Sequence, residues 1–345
     1  MWFMAQVSCF TAIRLFLKWN AFEKLPVDKE SAISWAELAD VLRGDVALIT
    51  RIGQILVAHG ILKHVASGRV AHTHFSKLLL IPAERAIIEL GFDVHAQSWM
   101  CMPKYFDHFG LVDPNDSRQT SMAFGEGRLG STPFDIIYAD EERRKAFIAC
   151  LTVNARQNPA LGKYDLDWVI KQADQSPSRA LVVDVGGGDG RALMAMFKAW
   201  PNLARHRCVL EDLSEVIGEV RHAADPDLAG VQMVPADFNK EQPIKGALLY
   251  YIRQCLHNHP DDKCVALLQV LARAMAPDSR LLIVEALLDD PATTHQAALD
   301  LMMMGIAGRE RTLANFEEIL DKAGLRITQV LQTHELSATI ECMLT

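Results

Sequence analysis

The stretch Ala180-Leu-Val-Val-Asp-Val-Gly-Gly-Gly-Asp-Gly190 sets the architecture expected for this chain of 345 residues. Its apolar run up to Asp184 predicts a buried strand, the glycines predict a turn, and a helical pattern begins at Arg191. A strand, a glycine turn and a helix N-terminus together form a common site for nucleotide-like ligands. Glycines also let a ligand approach the backbone closely. We therefore expect a nucleotide-like ligand at this turn.

Strands and helices alternate from Arg179 onward. Apolar patterns predict strands at 180–185, 207–211, 231–235, 246–252, 280–286, 325–332 and 337–344, and helices at 189–199, 213–223, 261–276, 295–305 and 313–323. Alternation at this spacing is typical of an α/β fold, a parallel sheet with helices on both faces. The last two strands are joined by a short connection, so they must run antiparallel to each other.

The first 80 residues carry a separate, mainly helical pattern. The predicted elements are helices at 7–22, 35–42 and 47–59, and hairpin strands at 61–65 and 70–74 joined by a turn at 66–69. Ser34 and Glu37 have the spacing of a capping box at the start of the second helix. Helices followed by a two-stranded wing predict a winged helix, which we assign to residues 1–80.

Residues 81–178 are predicted to form a helical connector that includes a substrate lid. Helices are expected at 83–90, 98–109, 140–154 and 165–175. The loop at 110–133 is rich in Gly, Asp, Ser and Pro, and Met122, Phe124 and Phe134 in and beside it are candidates for an apolar lining or for interdomain packing. Residues 179–345 form the predicted ligand-binding domain.

Composition argues against nucleic-acid and membrane partners. The net charge is −8, and the presumed recognition helix and wing supply only a few positive charges, from Arg51, Lys63 and Arg69. No apolar run reaches the roughly 20 residues that a membrane span requires. The start of the chain is interpreted as a helix and not as a signal peptide. Seven scattered cysteines indicate reduced thiols and a cytoplasmic protein.

Residue types around the glycine turn favour S-adenosylmethionine over a dinucleotide. A dinucleotide fingerprint counted from Gly186 would place its third glycine where Arg191 stands. A carboxylate at the mouth of the loop, from Asp184, would repel a pyrophosphate but suits an ammonium group. Acids also follow the next two predicted strands, where Asp212 is placed to bind ribose hydroxyls and Asp237 an adenine amino group. The cofactor residues predicted from these patterns are Asp184, Gly186, Gly188, Gly190, Asp212, Asp237 and Phe238.

With these motifs and the segment Tyr250-Tyr-Ile-Arg-Gln-Cys-Leu-His-Asn-His-Pro-Asp-Asp-Lys-Cys264, the chain resembles class I S-adenosylmethionine-dependent methyltransferases. More narrowly, it resembles the plant caffeate and fungal small-molecule O-methyltransferases. The resemblance implies a Rossmann-like catalytic domain, a winged-helix dimerisation domain and a homodimer. It also implies that Arg253 lies on the cofactor side, that His257 is the catalytic base, and that Glu285 and Glu310 flank this base.

The expected reaction methylates a hydroxyl of a small phenolic or polyketide-like substrate. A phenol has a pKa of about 10, and a histidine with an ordinary pKa of about 6.5 is largely neutral at pH 7 and can accept its proton. A carboxylate from Glu285 or Glu310 would fix the histidine tautomer. Asn258 and His259 stand where the family commonly has Asp and Trp, which leaves the support of His257 open.

Two other functions remain as alternatives. One is a cyclase or pericyclase that binds the sulfonium cofactor without transferring its methyl group, and the other is a winged-helix regulator that binds DNA. His72 and His74, like His257 and His259, form His-x-His pairs, a pattern that also occurs in metal sites. Further His or Cys ligands do not occur at a recognisable spacing, so no metal is predicted.

Overall fold

The computed structural model describes residues 2–28, 31–65, 68–157, 160–175, 177–332 and 337–345. The chain divides into two compact units. Unit 1 comprises Met1–His108 and Ser121–Asn154, and unit 2 comprises Phe109–Thr120 and Ala155–Thr345. The domain boundaries after residues 80 and 178 stay predictions.

Unit 1 is mainly helical and contains a small antiparallel sheet. Its elements are α1 (Trp2–Lys18), β1 (Ile33–Ser34), α2 (Trp35–Leu42), α3 (Val46–Ala58), β2 (Leu62–Val65), β3 (Arg69–His72), α4 (His74–Leu78), α5 (Pro82–Leu90), a π-helical segment (Gly91–Ala96), α6 (Gln97–Phe109), α7 (Ser121–Gly125), α8 (Pro133–Tyr138) and α9 (Glu141–Gln157). The strand order is β1-β3-β2.

The order of helices and wing in unit 1 is the one that the sequence predicts. The Ser34 side chain accepts a hydrogen bond from the Glu37 amide, and the Glu37 carboxylate accepts one from the Ser34 amide, which confirms the capping box. The first helix begins earlier and ends earlier than predicted. The predicted turn at 66–69 includes residues 66 and 67, which lie outside the described residues.

Unit 2 contains a seven-stranded sheet with helices between its strands. Its elements are α10 (Asp167–Ala173), β4 (Val182–Val185), α11 (Arg191–Ala199), β5 (Cys208–Asp212), α12 (Ser214–Ala223), β6 (Gln232–Pro235), β7 (Leu249–Arg253), α13 (Asp261–Ala274), β8 (Arg280–Ala286), α14 (Thr294–Met304), α15 (Leu313–Lys322), β9 (Leu325–Gln332) and β10 (Ser337–Leu344). The strand order is β6-β5-β4-β7-β8-β10-β9.

The sheet is mostly parallel, which confirms the predicted fold class. Strands β4 to β8 pair in parallel, whereas β10 is antiparallel to both β8 and β9. Alternate residues of the central strands β4, β5, β7 and β8 enter two separate apolar cores, as Val182 and Val183 do on β4. Because both faces are covered, the ends of the parallel strands are the natural place for a site.

Among the described helices, none combines the length and apolar character needed to cross a membrane.

Candidate active site

The glycine turn after β4 is held by the neighbouring strand β5. The Gly187 amide donates to the Glu211 carbonyl at 3.0 Å, and the Gly188 amide donates to the Asp212 carboxylate at 2.8 Å. Helix α11 begins directly after Gly190, which has a positive φ of 79°. The turn is therefore braced against β5, and it places the N-terminus of α11 at the carboxyl edge of the sheet.

Gly186 is the point where the turn meets Phe238 and the segment that carries the predicted base. Its φ is 65°, and a Cβ atom there would lie 2.9 Å from the Phe238 ring and 3.1 Å from the Cys255 sulfur. A larger residue would therefore displace the ring, the thiol or the turn. The predicted cofactor loop therefore lies against Phe238. Through Cys255, it also lies against the segment just before His257.

Asp184 is buried under the turn, which corrects the expectation of a carboxylate at the mouth of the loop. Its side chain is 1% exposed, and a Cβ atom at Gly187 would lie 2.6 Å from its carboxylate. Burial raises the pKa of Asp184 to about 7, although the charge of Arg253 opposes this shift. Among the described residues, no group makes a hydrogen bond with Asp184 Oδ2. A buried carboxylate oxygen of this kind fits the ammonium group of S-adenosylmethionine.

The two other cofactor acids lie at the ends of the neighbouring strands. Asp212 accepts hydrogen bonds from the Gly188 and Leu213 amides, so it braces the turn even without a ligand. Burial raises the pKa of Asp212. Asp237 accepts from the Asn239 amide and pairs with Lys240 at 2.9 Å. The structure thus places both acids at the predicted edge, while their roles toward the cofactor stay predictions.

His257 lies in a short 3-10 turn, Leu256–Asn258, that follows β7. Its Nδ1 atom is 3.0 Å from Glu310 Oε1 and 3.8 Å from Glu285 Oε2. The carboxylates come from segments 28 and 53 residues later in the sequence, and both are almost fully buried. Glu285 also accepts the Leu256 amide at 2.8 Å. The structure therefore assembles the three residues of the predicted catalytic set.

Two buried carboxylates change the charge state expected for His257. Burial by itself lowers the pKa of His257, but the charge of Glu285 and the hydrogen bond with Glu310 outweigh it and raise the pKa to about 9. The two carboxylates therefore favour the protonated imidazole, in contrast to the largely neutral ring that the sequence predicts. The reason is that an ordinary pKa of about 6.5 applies to a solvated ring without carboxylate neighbours.

Asn258 and His259, which differ from the family pattern, do not support the His257 ring. The Asn258 side-chain amide donates to the Gln254 carbonyl at 3.2 Å, and the His259 carbonyl accepts from Arg311 at 2.8 Å. Support for the ring comes from Glu310 instead. The substitutions at these two positions are therefore compatible with an intact histidine–carboxylate pair.

Residues around Glu310 that were not among the predicted site residues contact the same turn. Gly308 has room for no side chain, because a Cβ atom there would lie 2.2 Å from the His257 carbonyl oxygen. The Arg309 amide donates to this carbonyl at 2.8 Å, and the Asp300 carboxylate accepts the Glu310 amide at 2.9 Å. The available signal was the run Gly308-Arg-Glu-Arg-Thr312, in which a glycine and two arginines surround the single glutamate.

Within the described part of the chain, no group of three or more His, Cys, Asp or Glu side chains has an arrangement that could hold a metal ion. All seven cysteines are free thiols, and the pairs around His72 and His257 gain no further ligands among the described residues.

Comparison with known proteins shows which family shares this sequence and fold. The family model of the O-methyltransferase domain matches residues 112–326. The methyltransferase fsa4 of Fusarium sp. (strain FN080326) is 32% identical over 332 residues, which covers 96% of this chain and 91% of fsa4.

Solved structures give the same result. OxaC in complex with sinefungin and meleagrin is similar with a TM-score of 0.87 and 25% identity, covering 99% of this chain and 86% of OxaC. OxaC is also known in complex with S-adenosylhomocysteine and oxaline. A pericyclic reaction enzyme is similar with a TM-score of 0.84 and 23% identity, covering 97% of this chain and 86% of that chain, which shows a shared fold.

Proposed function

The chain belongs to the S-adenosylmethionine-dependent O-methyltransferases of secondary metabolism, and we propose that it methylates a hydroxyl of a small aromatic or polyketide-type metabolite with His257 as general base. The observation that carries this proposal is the His257–Glu310 pair, 3.0 Å apart, in a segment whose Cys255 lies against the glycine turn. A proton acceptor beside a methyl-donor site is what methylation of a hydroxyl needs.

S-adenosylmethionine supplies the methyl group and its leaving group, so the protein must hold the two reactants and move a proton. We assign binding of the cofactor's ammonium group to Asp184, its ribose to Asp212 and its adenine to Asp237 and Phe238. The glycines of the turn Gly186–Gly190 would let the cofactor approach the protein backbone closely, and Arg253 lies at the end of β7 on the same edge.

His257 Nδ1 is occupied by Glu310, so exchange of a proton with the acceptor falls to Nε2. A pKa of about 9 lies close to the value of about 10 for a phenol, so the proton transfer is nearly balanced in free energy. The neutral ring is a minor form at pH 7. Glu310 and Glu285 then stabilise the imidazolium that forms when the acceptor hydroxyl loses its proton.

The test uses purified protein, methyl-labelled S-adenosylmethionine and a panel of phenols and polyketide-like hydroxy compounds. We expect label in the product and a loss of kcat of about 10²-fold or more in His257→Gln, the usual range for a general base. His222→Gln, which changes an exposed histidine on α12, is the matched control and should retain full activity. Full activity in His257→Gln would exclude the general-base role.

The second candidate is a cyclase or pericyclase that keeps the methyl group on the cofactor. The shared fold with the pericyclic reaction enzyme favours considering it. The intact pairing of His257 with Glu310 supports methyl transfer instead. Formation of S-adenosylhomocysteine in step with product distinguishes the two functions, because only methyl transfer produces it.

We also propose that the chain acts as a cytoplasmic homodimer with residues 1–80 as a dimerisation domain. Light scattering coupled to size-exclusion chromatography would give twice the mass of 38.4 kDa if this is correct. DNA binding through the same residues is the less favoured role. Failure to retard any duplex at low salt would exclude it.

A further inference from the structure

Arg311 is a charged side chain that the fold buries almost completely, with 1% of its surface exposed. Its guanidinium donates to the Leu256 carbonyl at 3.0 Å and to the His259 carbonyl at 2.8 Å, the two residues on either side of the segment that carries His257. It also pairs with the Asp261 carboxylate at 2.7 Å, at the start of α13. Arg311 therefore spans the whole turn from Leu256 to Asp261.

The same turn is also held by other groups. Glu285 Oε1 accepts the amides of Cys255 at 2.9 Å and Leu256 at 2.8 Å. The Arg309 amide donates a hydrogen bond to the His257 carbonyl at 2.8 Å. Carbonyls bound by arginine and amides bound by glutamate together fix the backbone that carries the histidine. We call Arg311, Glu285 and the Arg309 amide the turn clamp.

The chemistry of Arg311 suits this position better than that of other residues. A guanidinium offers five N–H donors in a rigid, planar fork, which can reach two carbonyls and a carboxylate at once. Burying a charge is unfavourable unless hydrogen bonds and a counter-charge compensate it, and Asp261 supplies the counter-charge. A lysine would bring the charge but not the fork.

We propose that Arg311 is a positioning residue for the reaction, which holds the turn 256–259 so that the His257 ring stays on Glu310. This inference rests on the proposed role of His257 as the general base. The groups that face His257 are Glu285, Glu310, Arg311 and His259. Of these, Arg311 acts mainly on the backbone, through the carbonyls of Leu256 and His259.

The first test is the titration of His257 in the full chain, followed by NMR of histidines labelled with ¹³C at Cε1. The His257 signal is identified by its loss in His257→Gln. In Arg311→Met and in Arg311→Lys we expect the pKa of His257 to fall from about 9 toward its ordinary value, because the ring leaves the carboxylates. A through-space charge effect gives the opposite result, since loss of a nearby positive charge in Arg311→Met would raise the pKa.

Arg280→Met is the matched control, because it also removes an arginine from an ion pair, with Glu341 at 2.7 Å, but at the opposite end of β8 from Glu285. It should reduce stability and leave the His257 titration unchanged. Near-ultraviolet circular dichroism establishes that each variant is folded. If Arg311→Met does not fold, the His257 titration in Arg311→Lys tests the proposal. Lysine keeps the positive charge but lacks the planar set of N–H donors.

The second test separates kcat from cofactor binding. We expect kcat to fall about 10²-fold in Arg311→Lys, the effect of a misplaced catalytic group, while the Kd for S-adenosylhomocysteine changes less than about threefold. An unchanged His257 titration in a folded Arg311→Lys variant would overturn the proposal. The titration requires no acceptor, so it tests Arg311 even if the panel yields no methylated product, and the two proposals can fail separately.

Discussion

At the residue scale, His257 carries a pH dependence that follows from its two carboxylate neighbours. If the neutral imidazole is the base, kcat/KM for the acceptor should rise with pH and level off above the pKa of His257, which is about 9. Glu310→Gln removes one negative charge and the charged hydrogen bond, so the inflection should move to lower pH. A pH–rate profile of both proteins, at saturating cofactor, measures this. An inflection that stays in place or rises in Glu310→Gln would contradict the assignment.

Asp184 gives a second prediction, in which stability and binding change in opposite directions. Its pKa is raised to about 7 in the folded chain, so this group contributes stability that is present at low pH and is lost as the pH rises from about 4 through 7. Asp184→Asn avoids this loss of stability at high pH, because the asparagine side chain does not ionise. We therefore expect it to stabilise the unliganded chain at pH 8 by on the order of 1–3 kcal/mol, and much less at pH 5.

Urea unfolding at the two pH values measures this stability, and calorimetric titration measures S-adenosylhomocysteine binding. The same substitution should weaken binding about tenfold or more, since it removes the charge that faces the ammonium group. Equal stability of both proteins at pH 8 would show that Asp184 has a different charge state. Unchanged affinity would remove Asp184 from the cofactor site.

The resemblance to the O-methyltransferases implied the histidine and its two glutamates, and the structure places these three side chains together. The charge state of His257 could not be predicted in the same way. It depends on distances of 3.0 and 3.8 Å between segments far apart in the chain, and these distances exist only after folding. The same applies to Arg311, whose burial no local pattern indicates.

At the scale of elements, Gly308 joins the segment of Glu310 to the turn of His257. A Cβ atom in Gly308→Ala would lie 2.2 Å from the His257 carbonyl oxygen, so the two segments must separate. We expect a loss of about 1–3 kcal/mol in stability, the usual range for overpacking, together with a fall in kcat. Thermal unfolding and steady-state kinetics measure the two effects.

Gly218→Ala is the matched control for this substitution. Gly218 is exposed on helix α12, and a Cβ atom there would meet nothing within 4 Å. Alanine in a helix is favoured over glycine by about 1 kcal/mol, so this variant should be slightly more stable and fully active. Similar losses in both variants would mean that the close contact at Gly308 is unimportant.

Most elements could be predicted from apolar periodicity and capping residues, as the Ser34 box and the strand after Ala180 illustrate. The position of β10 in the strand order could not be predicted from the sequence. Its short connection to β9 indicates an antiparallel pair, but nothing in the sequence shows that β10 inserts between β8 and β9. Strand order depends on which apolar edges are covered in the folded sheet, and many orders satisfy the same pattern of residues.

At the scale of the whole molecule, cofactor binding should stabilise the chain through the acids at the sheet edge. S-adenosylhomocysteine at 100 times its Kd should add about 2.7 kcal/mol to the free energy of unfolding, and so raise Tm. Asp212→Asn should reduce this rise, because Asp212 both braces the turn and faces the ribose in the proposed site. Glu318→Gln, an exposed change on α15, should keep the full rise. A full rise in Asp212→Asn would argue against its ribose role.

The general architecture, a helical N-terminal part and an α/β sheet, could be predicted because strand and helix patterns alternate only after residue 179. It could not be predicted that Phe109–Thr120 belongs to the same compact unit as the sheet. This segment has no regular pattern of its own. Its contacts, such as Asp113 with Arg309 at 3.0 Å, are made with residues near the other end of the chain.

That interleaving has a consequence for recombination between relatives. A single crossover after residue 154 would take Asp113 from one parent and Arg309 from the other. Arg309 also lies next to the predicted base, because its amide donates a hydrogen bond to the His257 carbonyl. Chimaeras that exchange unit 1 and keep unit 2 from one parent need junctions at 108/109, 120/121 and 154/155. The twelve-residue block between the first two junctions is then inherited with the sheet, so that Asp113 stays with its own Arg309.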